Sequence, residues 1–519
     1  MGQGPAVISR RAALIGAAAV LAGCERAAPV AGGFTGASVA RGHLLRERRE
    51  WPAPAVSRRV EVVIAGAGIA GLAAARALRQ RRREDFVLLD LEDEPGGNSR
   101  GGVVEGIACP LGAHYLPVPG DAAPEVQDLL EELGLRRRVN GRWRYDERTL
   151  CHAPQERLYF QGGWQEGLLP MAGIGATTRA QYQRFADEVD KLRAGGAFRI
   201  PLRARAALAP WDGETFAHWL DARDLRDAQL RWYLDYCCRD DYGAGSASVS
   251  AAAGLHYFAA RHGFRVPGGP GDAAEDEGVL TWPEGNAFLA RALAAPLGDR
   301  FRRARVVLRI AEHPHGVDVD VWDARRERVE RWQAAQCIVA LPAFVAARVL
   351  EGAPEPVLAL ARQARHAPWV VANLHLREPP WPGEGAPLAW DNVVYGSDSL
   401  GYVVATHQDL DPTPGPTVLT WYCAPGEAAR GDVLQRPWGD WRDRIVRELS
   451  VPHPDLARHL TRIEVARYGH AMAIPVPGAL ARGPKPPVTA RLRFAHGDWA
   501  GYSIFEEAFT LGHEAGRLL

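Results

Sequence analysis

Val62-Val63-Ile64-Ala65-Gly66-Ala67-Gly68-Ile69-Ala70-Gly71 reads as a strand running through a glycine turn into a helix. Arg59 to Ala65 is a short apolar run that ends at glycine, which suits a buried parallel strand. Gly66 gives the tight turn, Gly68 lets the backbone approach a pyrophosphate, and Gly71 lets helix and strand pack closely. From Ile69 and Ala70 to about Arg82 the chain is rich in Ala, Leu and Arg, a good helix composition. The N–H groups at its start face the phosphates. Phe86-Val87-Leu88-Leu89-Asp90 is a second strand. Asp90 stands at roughly the 20-residue spacing of a carboxylate that takes ribose hydroxyls. A lone glycine turn would be weak; strand, helix, strand and acid in this order predict a dinucleotide-binding unit.

Two further strings extend that site. Gly96-Gly97-Asn98-Ser99-Arg100 follows the second strand, and Arg493-Phe494-Ala495-His496-Gly497-Asp498 lies near the far end. Together they read as an FAD site built from both ends of the chain.

The N-terminus carries an address. Ser9-Arg10-Arg11 precedes an apolar stretch from Ala12 to Gly23, too short to span a bilayer. It reads as a signal h-region with the paired arginines of twin-arginine export. Leu21-Ala22-Gly23-Cys24 resembles a bacterial lipobox, which would make Cys24 a lipid anchor; the alternative is an ordinary signal with an incidental cysteine. The expectation is a signal over 1–24 and a periplasmic, lipid-anchored protein, with Glu25 favouring the outer membrane. Residues 25–57, rich in Ala, Gly, Pro and Arg without apolar period, read as a flexible tether.

About 460 residues follow, too many for one compact core, so two domains are expected. The net charge is zero, and no basic excess asks for nucleic acid. Arginine does nearly all the cationic work, with lysine only at 191 and 485. The cysteines after Cys24, at 109, 151, 237, 238, 337 and 423, match no zinc spacing, and no metal is expected. Cys237-Cys238 reads as a redox pair or as two buried helix thiols.

The expected layout is an FAD-binding domain from 58–117, 275–345 and 485–519, and a substrate domain from 118–274 and 346–484. Residues 118–265 read as mostly helical. Strands are expected at Arg305–Ile310, 317–321, 337–341, 369–376, within 402–423 and at Leu492–Ala495, with a final helix from about Phe505 to Leu518.

These strings resemble the flavin-containing amine oxidase superfamily, which includes monoamine and polyamine oxidases, spermidine dehydrogenase and phytoene desaturases. The resemblance covers nearly everything after residue 57. It implies an α/β fold, with a Rossmann-type FAD-binding domain and a discontinuous α+β substrate domain. It also implies that Val307 lies against the adenine, that Ile338 to Pro342 returns to the flavin, and that Gly497 and Asp498 hold the ribityl-pyrophosphate region. The following helix would aim its N-terminus at the flavin carbonyl, where negative charge grows on reduction.

Three departures stand out. Asn98 occupies the usual arginine position after Gly96-Gly97, with Arg100 two places on. Asn373 stands at about the slot where many relatives place a lysine near the flavin. No cysteine lies near the C-terminal motif, so the FAD is expected to be non-covalent. Tyr468 reads as an aromatic wall and His470 as a group that takes or holds a proton; both also fit core packing. Tyr502 reads as a second wall. Asp240, Asp241, Asp391, Glu506 and Glu507 are candidate acids for a distant cationic end. The expected chemistry is oxidation of an amine or polyamine by hydride transfer, with a quinone or small redox protein as acceptor. The competing readings are a desaturase of an apolar substrate and a flavin-binding lipoprotein without turnover.

Overall fold

A computed structural model describes residues 30–47, 50–268, 278–409 and 415–519. The signal and Cys24 lie outside the described residues, as does most of the acidic loop after Gly268. No described helix is long and apolar enough to cross a membrane.

The elements that frame the site are, in chain order, β1 (Ala31–Thr35), β2 (Val56–Ala65), α1 (Ile69–Gln80), β3 (Phe86–Leu89), α2 (Ala228–Tyr242), β4 (Arg305–His313), β5 (Gly316–Asp323), β6 (Arg328–Val339), β7 (Arg365–Leu376), β8 (Asp391–Val394), β9 (Thr417–Cys423), β10 (Leu460–Ile474), β11 (Leu492–Phe494) and α3 (Phe505–Arg517).

Among the described residues, one seven-stranded sheet runs Phe301–Arg302, β3, β2, β6, β5, β4, with β11 also on β6. β3, β6 and β11 are parallel to their neighbours β2 or β6. Their apolar runs are buried because helices cover the sheet, as parallel strands require. The chain ends meet across α1 and α3. A Cβ at Gly512 would stand 2.0 Å from the Ala70 carbonyl oxygen, so only glycine permits this helix contact.

A second, eight-stranded sheet runs β1, β10, β7, β9, Tyr402–Val404, β8, Glu156–Phe160, Gly163–Glu166. β7 lies between β10 and β9, with Trp369 opposite Tyr468 and Val371 opposite Tyr422.

The structure corrects two expectations. The segment from 30 to 47 is not a free tether: β1 pairs in parallel with β10, and the helix Val39–His43 follows. Five residues of backbone pairing outweigh a composition that carries no apolar period. The region after 118 is also less helical than expected. Arg136–Val139 pairs with Arg142–Tyr145 across Asn140-Gly141, and Glu156–Phe160 with Gly163–Glu166 across Gln161-Gly162. Both turn pairs have positive φ, the geometry of a tight two-residue hairpin.

Candidate active site

The three glycines after β2 separate by role. Gly66 has φ +101° and no room for a side chain, since a Cβ would meet the Ala340 carbonyl oxygen at 2.4 Å. At Gly71 a Cβ would stand 1.8 Å from the Gly66 carbonyl oxygen. These two serve the protein's own packing. At Gly68 nothing lies within 4 Å of such a Cβ. Gly68 caps α1 in an extended conformation with no side-chain hydrogen bond, so the helix N-terminus keeps open donors. Ile69 and Ala70 are buried behind it. Gly96 donates its N–H to the Ala67 carbonyl at 2.8 Å and brings Gly97 against Gly68. Open donors beside an unfilled glycine surface fit a pyrophosphate.

Asp90 stands at the end of β3. Its carboxylate accepts from the Ala67 N–H at 2.6 Å and the Glu92 N–H at 2.8 Å. Burial raises its carboxyl above the usual value against those two bonds. Its carbonyl accepts from the Arg305 N–H at 2.6 Å, which ties the start of β4, and so Val307, to the same end of the sheet. β4 is an edge strand with a bulge just after Val307.

At the other end, Pro342 caps the helix Ala343–Val349, and the Ala343 N–H donates to Asp498 at 2.8 Å. The His366 ring lies 3.1 Å from the other Asp498 oxygen. Burial opposes charge on Asp498, yet His496 and His366 hold its carboxyl well below the usual range. Gly497 is buried beside it.

Other site residues stand differently from their sequence reading. Arg100 is committed to Glu92 at 3.0 Å and to the Gly97 carbonyl at 3.0 Å. Glu92 in this corner needs a cation, and Arg100 supplies it. Asn98 is exposed and donates to the Ala471 carbonyl. Asn373 is fully buried: its amide donates to Pro110 at 3.0 Å and accepts from Thr420 at 2.7 Å. With its polar atoms so engaged, it ties β7 to β9 and to the Pro110 carbonyl. His470 packs against Phe344 at 4.8 Å. Although the ring is partly open to solvent, desolvation, with Arg430 and His366 nearby, pushes it down to about 4. Tyr502 is core, with its hydroxyl on Glu507 at 2.7 Å.

Tyr468 stands beside a second ring, Tyr422, that the sequence reading missed. The Tyr468 hydroxyl donates to the Leu111 carbonyl at 2.6 Å, and that of Tyr422 to the next carbonyl, Gly112, at 3.1 Å. The two rings flank β7 and clamp the 111–115 segment against the sheet. His114 stacks on Tyr422 at 4.6 Å, and Trp390 stands edge-on to Tyr115 at 5.9 Å. β9 carries no signal for Tyr422: all seven of its residues are buried, so the strand alone does not say which face the ring takes.

Beside this aromatic box lie acids. Asp391 on β8 pairs in register with Glu156 on the neighbouring strand. Asp240 projects from the last turn of α2. Burial, then Asp241, pushes the Asp240 carboxyl up to about 7. Burial, then Asp240 and Glu156, raises Asp391 well above the usual range. Neither Asp240 nor Asp391 forms an ion pair among the described residues, and both keep part of their surface open. The other candidate acids are engaged. Glu506 pairs with Arg261 at 2.9 Å, which also faces Asp241, and Glu507 accepts from the Leu202 N–H at 2.6 Å.

A family model described as "Flavin containing amine oxidoreductase" matches residues 69–515. The chain belongs to this family. Membership places it among the FAD-dependent oxidoreductases. A Mycobacterium tuberculosis protein named as a candidate flavin-containing monoamine oxidase, AofH, is 28% identical over 297 residues. That match covers 54% of this chain and 57% of the relative, so the chain spans little more than half of that relative's length. Among solved structures, wild-type putrescine oxidase bound to putrescine aligns with a TM-score of 0.67 at 16% identity, over 89% of this chain and 98% of that one. Cyclohexylamine oxidase from Brevibacterium oxydans gives 0.64 at 18%, over 88% and 98%. At these identities the structures support the fold: a mixed α/β architecture with a Rossmann-type FAD domain and a substrate domain.

Proposed function

We propose that this protein oxidises a diamine or polyamine. The observation that carries the reading is the pair of half-buried carboxylates, Asp240 and Asp391, with no ion-pair partner among the described residues, beside an aromatic box. Like charges placed together in low dielectric are costly, and a cationic ligand relieves that cost. The aromatic faces of Tyr422, Tyr468, Trp390 and Tyr115 favour the same ligand. FAD, when bound, accepts the hydride. The residues do the rest: Tyr468 and Tyr422 orient the reacting amine, Asp240 and Asp391 hold the second ammonium, and the packed rings exclude water. Hydride loss from the carbon next to a neutral amine leaves an iminium cation that water hydrolyses to an aldehyde and ammonium, or the shortened amine where a secondary nitrogen reacts. An apolar carotenoid-like substrate is disfavoured, because it would cover both half-buried acids without giving them a partner.

The electron acceptor is proposed to be a quinone or small redox protein in the cell envelope, reached by the export signal and Cys24 anchor. Val371 and Asn373 on β7 carry no charge, and both lysines are exposed elsewhere. The FAD is proposed to be non-covalent. Anaerobic titration with putrescine and spermidine tests the substrate: bleaching of the flavin supports it, and a flavin left oxidised by every di- and polyamine would sink it.

A further inference from the structure

The segment from 31 to 45 crosses between the two sheets at the cofactor cleft. On one side β1 pairs with β10, from Ala31 opposite Arg462 to Thr35 opposite Ala466. Phe34 lies under the Arg467 guanidinium at 3.4 Å. At Gly36 the chain turns with φ +88°, and a Cβ there would stand 2.9 Å from that of Ala466 and 3.4 Å from the Tyr468 hydroxyl. Only glycine passes so close over the aromatic wall.

On the other side the chain binds the loop just after Asp90. The Ser38 N–H donates to both Glu92 oxygens, at 3.0 and 3.2 Å. Arg41 donates to the Leu91 carbonyl at 3.0 Å and to Asp93 at 2.7 Å. The Leu45 carbonyl accepts from Arg348, on the helix that Pro342 caps, at 2.8 Å. The segment thus reaches the loop after Asp90 and the Tyr468 hydroxyl, two points beside the proposed FAD path, and is tied at its far end to the last turn of the helix that Pro342 caps. Glu92, held by Arg100 at the same time, is the hinge point of this contact.

We propose that residues 31–45 form the outer wall of the FAD cleft and set how fast the cofactor exchanges. The site motifs build the floor; this segment closes it. The cofactor then enters before the segment docks, and leaves only after Ser38 and Arg41 release Glu92 and Asp93.

The inference rests on FAD as cofactor and not on the amine reading, so its test uses no substrate. Release of FAD from the full-length protein is followed by flavin fluorescence with a scavenging apoprotein in excess. A Ser38→Pro/Arg41→Glu variant removes one N–H, at a φ of −74° that proline accepts, and reverses one charge. Loss of charge-assisted bonds of this kind predicts release faster by on the order of tenfold. In the unaltered protein, hydrogen exchange at 31–45 should be slow with FAD bound and fast without it. Release rates within about twofold in the folded variant, or equal exchange of the segment with and without FAD, would overturn the proposal.

Discussion

At the scale of single residues, Gly68 and Gly71 make opposite predictions from one motif. Open space at Gly68 means that Gly68→Val folds but purifies without flavin. The 1.8 Å approach at Gly71 means that Gly71→Ala loses fold and flavin together. Circular dichroism beside the 450 nm flavin band separates the two outcomes. A Gly68→Val protein with normal flavin content would refute the assigned role. Asp240 gives a second test. Its carboxyl is raised to about 7, so burial costs stability once it ionises, and that cost grows as pH rises from the ordinary carboxylate range through 7. Asp240→Asn should therefore melt higher than the parent at pH 8 and no higher at pH 4. The same change should weaken diamine binding by about 10- to 100-fold, the range of a hydrogen bond to a charged group. In the parent, diamine affinity should improve as pH rises through about 7. A variant with lower melting temperature at pH 8 and unchanged KM would contradict both halves.

At the scale of elements, the Arg261–Glu506 pair joins the turn Phe258–His262 to the first turn of α3. Side-chain exposures of 13% and 3% place it inside. Arg261→Met should cost about 3–5 kcal/mol, because Glu506 is left buried and uncompensated; urea unfolding of the flavin-free protein measures it. Elements also divide what was legible. β2, α1 and β3 were readable because a buried strand, a glycine turn and a helix each leave a local mark. Asn140-Gly141 is a hairpin signal of the same local kind, set in a stretch whose composition otherwise favours helix. β1 was not legible: its Ala-Gly-Gly-Phe-Thr has no apolar alternation, and its strand exists only because β10 offers an edge. The contacts of Arg100 and Asn373 were not legible for a related reason. Their roles depend on Glu92, Pro110 and Thr420, partners that no spacing in the sequence announces.

At the scale of the molecule, the aromatic box of Tyr422, Tyr468, Trp390 and Tyr115 lies beside Asp240 and Asp391, and neither lysine of the chain lies on β7 or β10. With the His470 ring pushed down to about 4, no described cation among the proposed catalytic residues favours developing superoxide. Reduced enzyme mixed with oxygen in stopped flow should therefore reoxidise much more slowly than substrate reduces it, whereas a soluble quinone should restore the oxidised spectrum quickly. Equal rates with oxygen would make the protein an oxidase. The central claim is that paired acids choose a substrate with two cationic ends. It is tested most directly by the rate of anaerobic flavin reduction by 1,4-diaminobutane and by butylamine, measured in the parent and in Asp240→Asn. The account predicts that the parent reduces faster with the diamine by about tenfold or more, and that the substitution removes most of that preference. Equal rates for the two amines in the parent, or a preference that survives in Asp240→Asn, would contradict it.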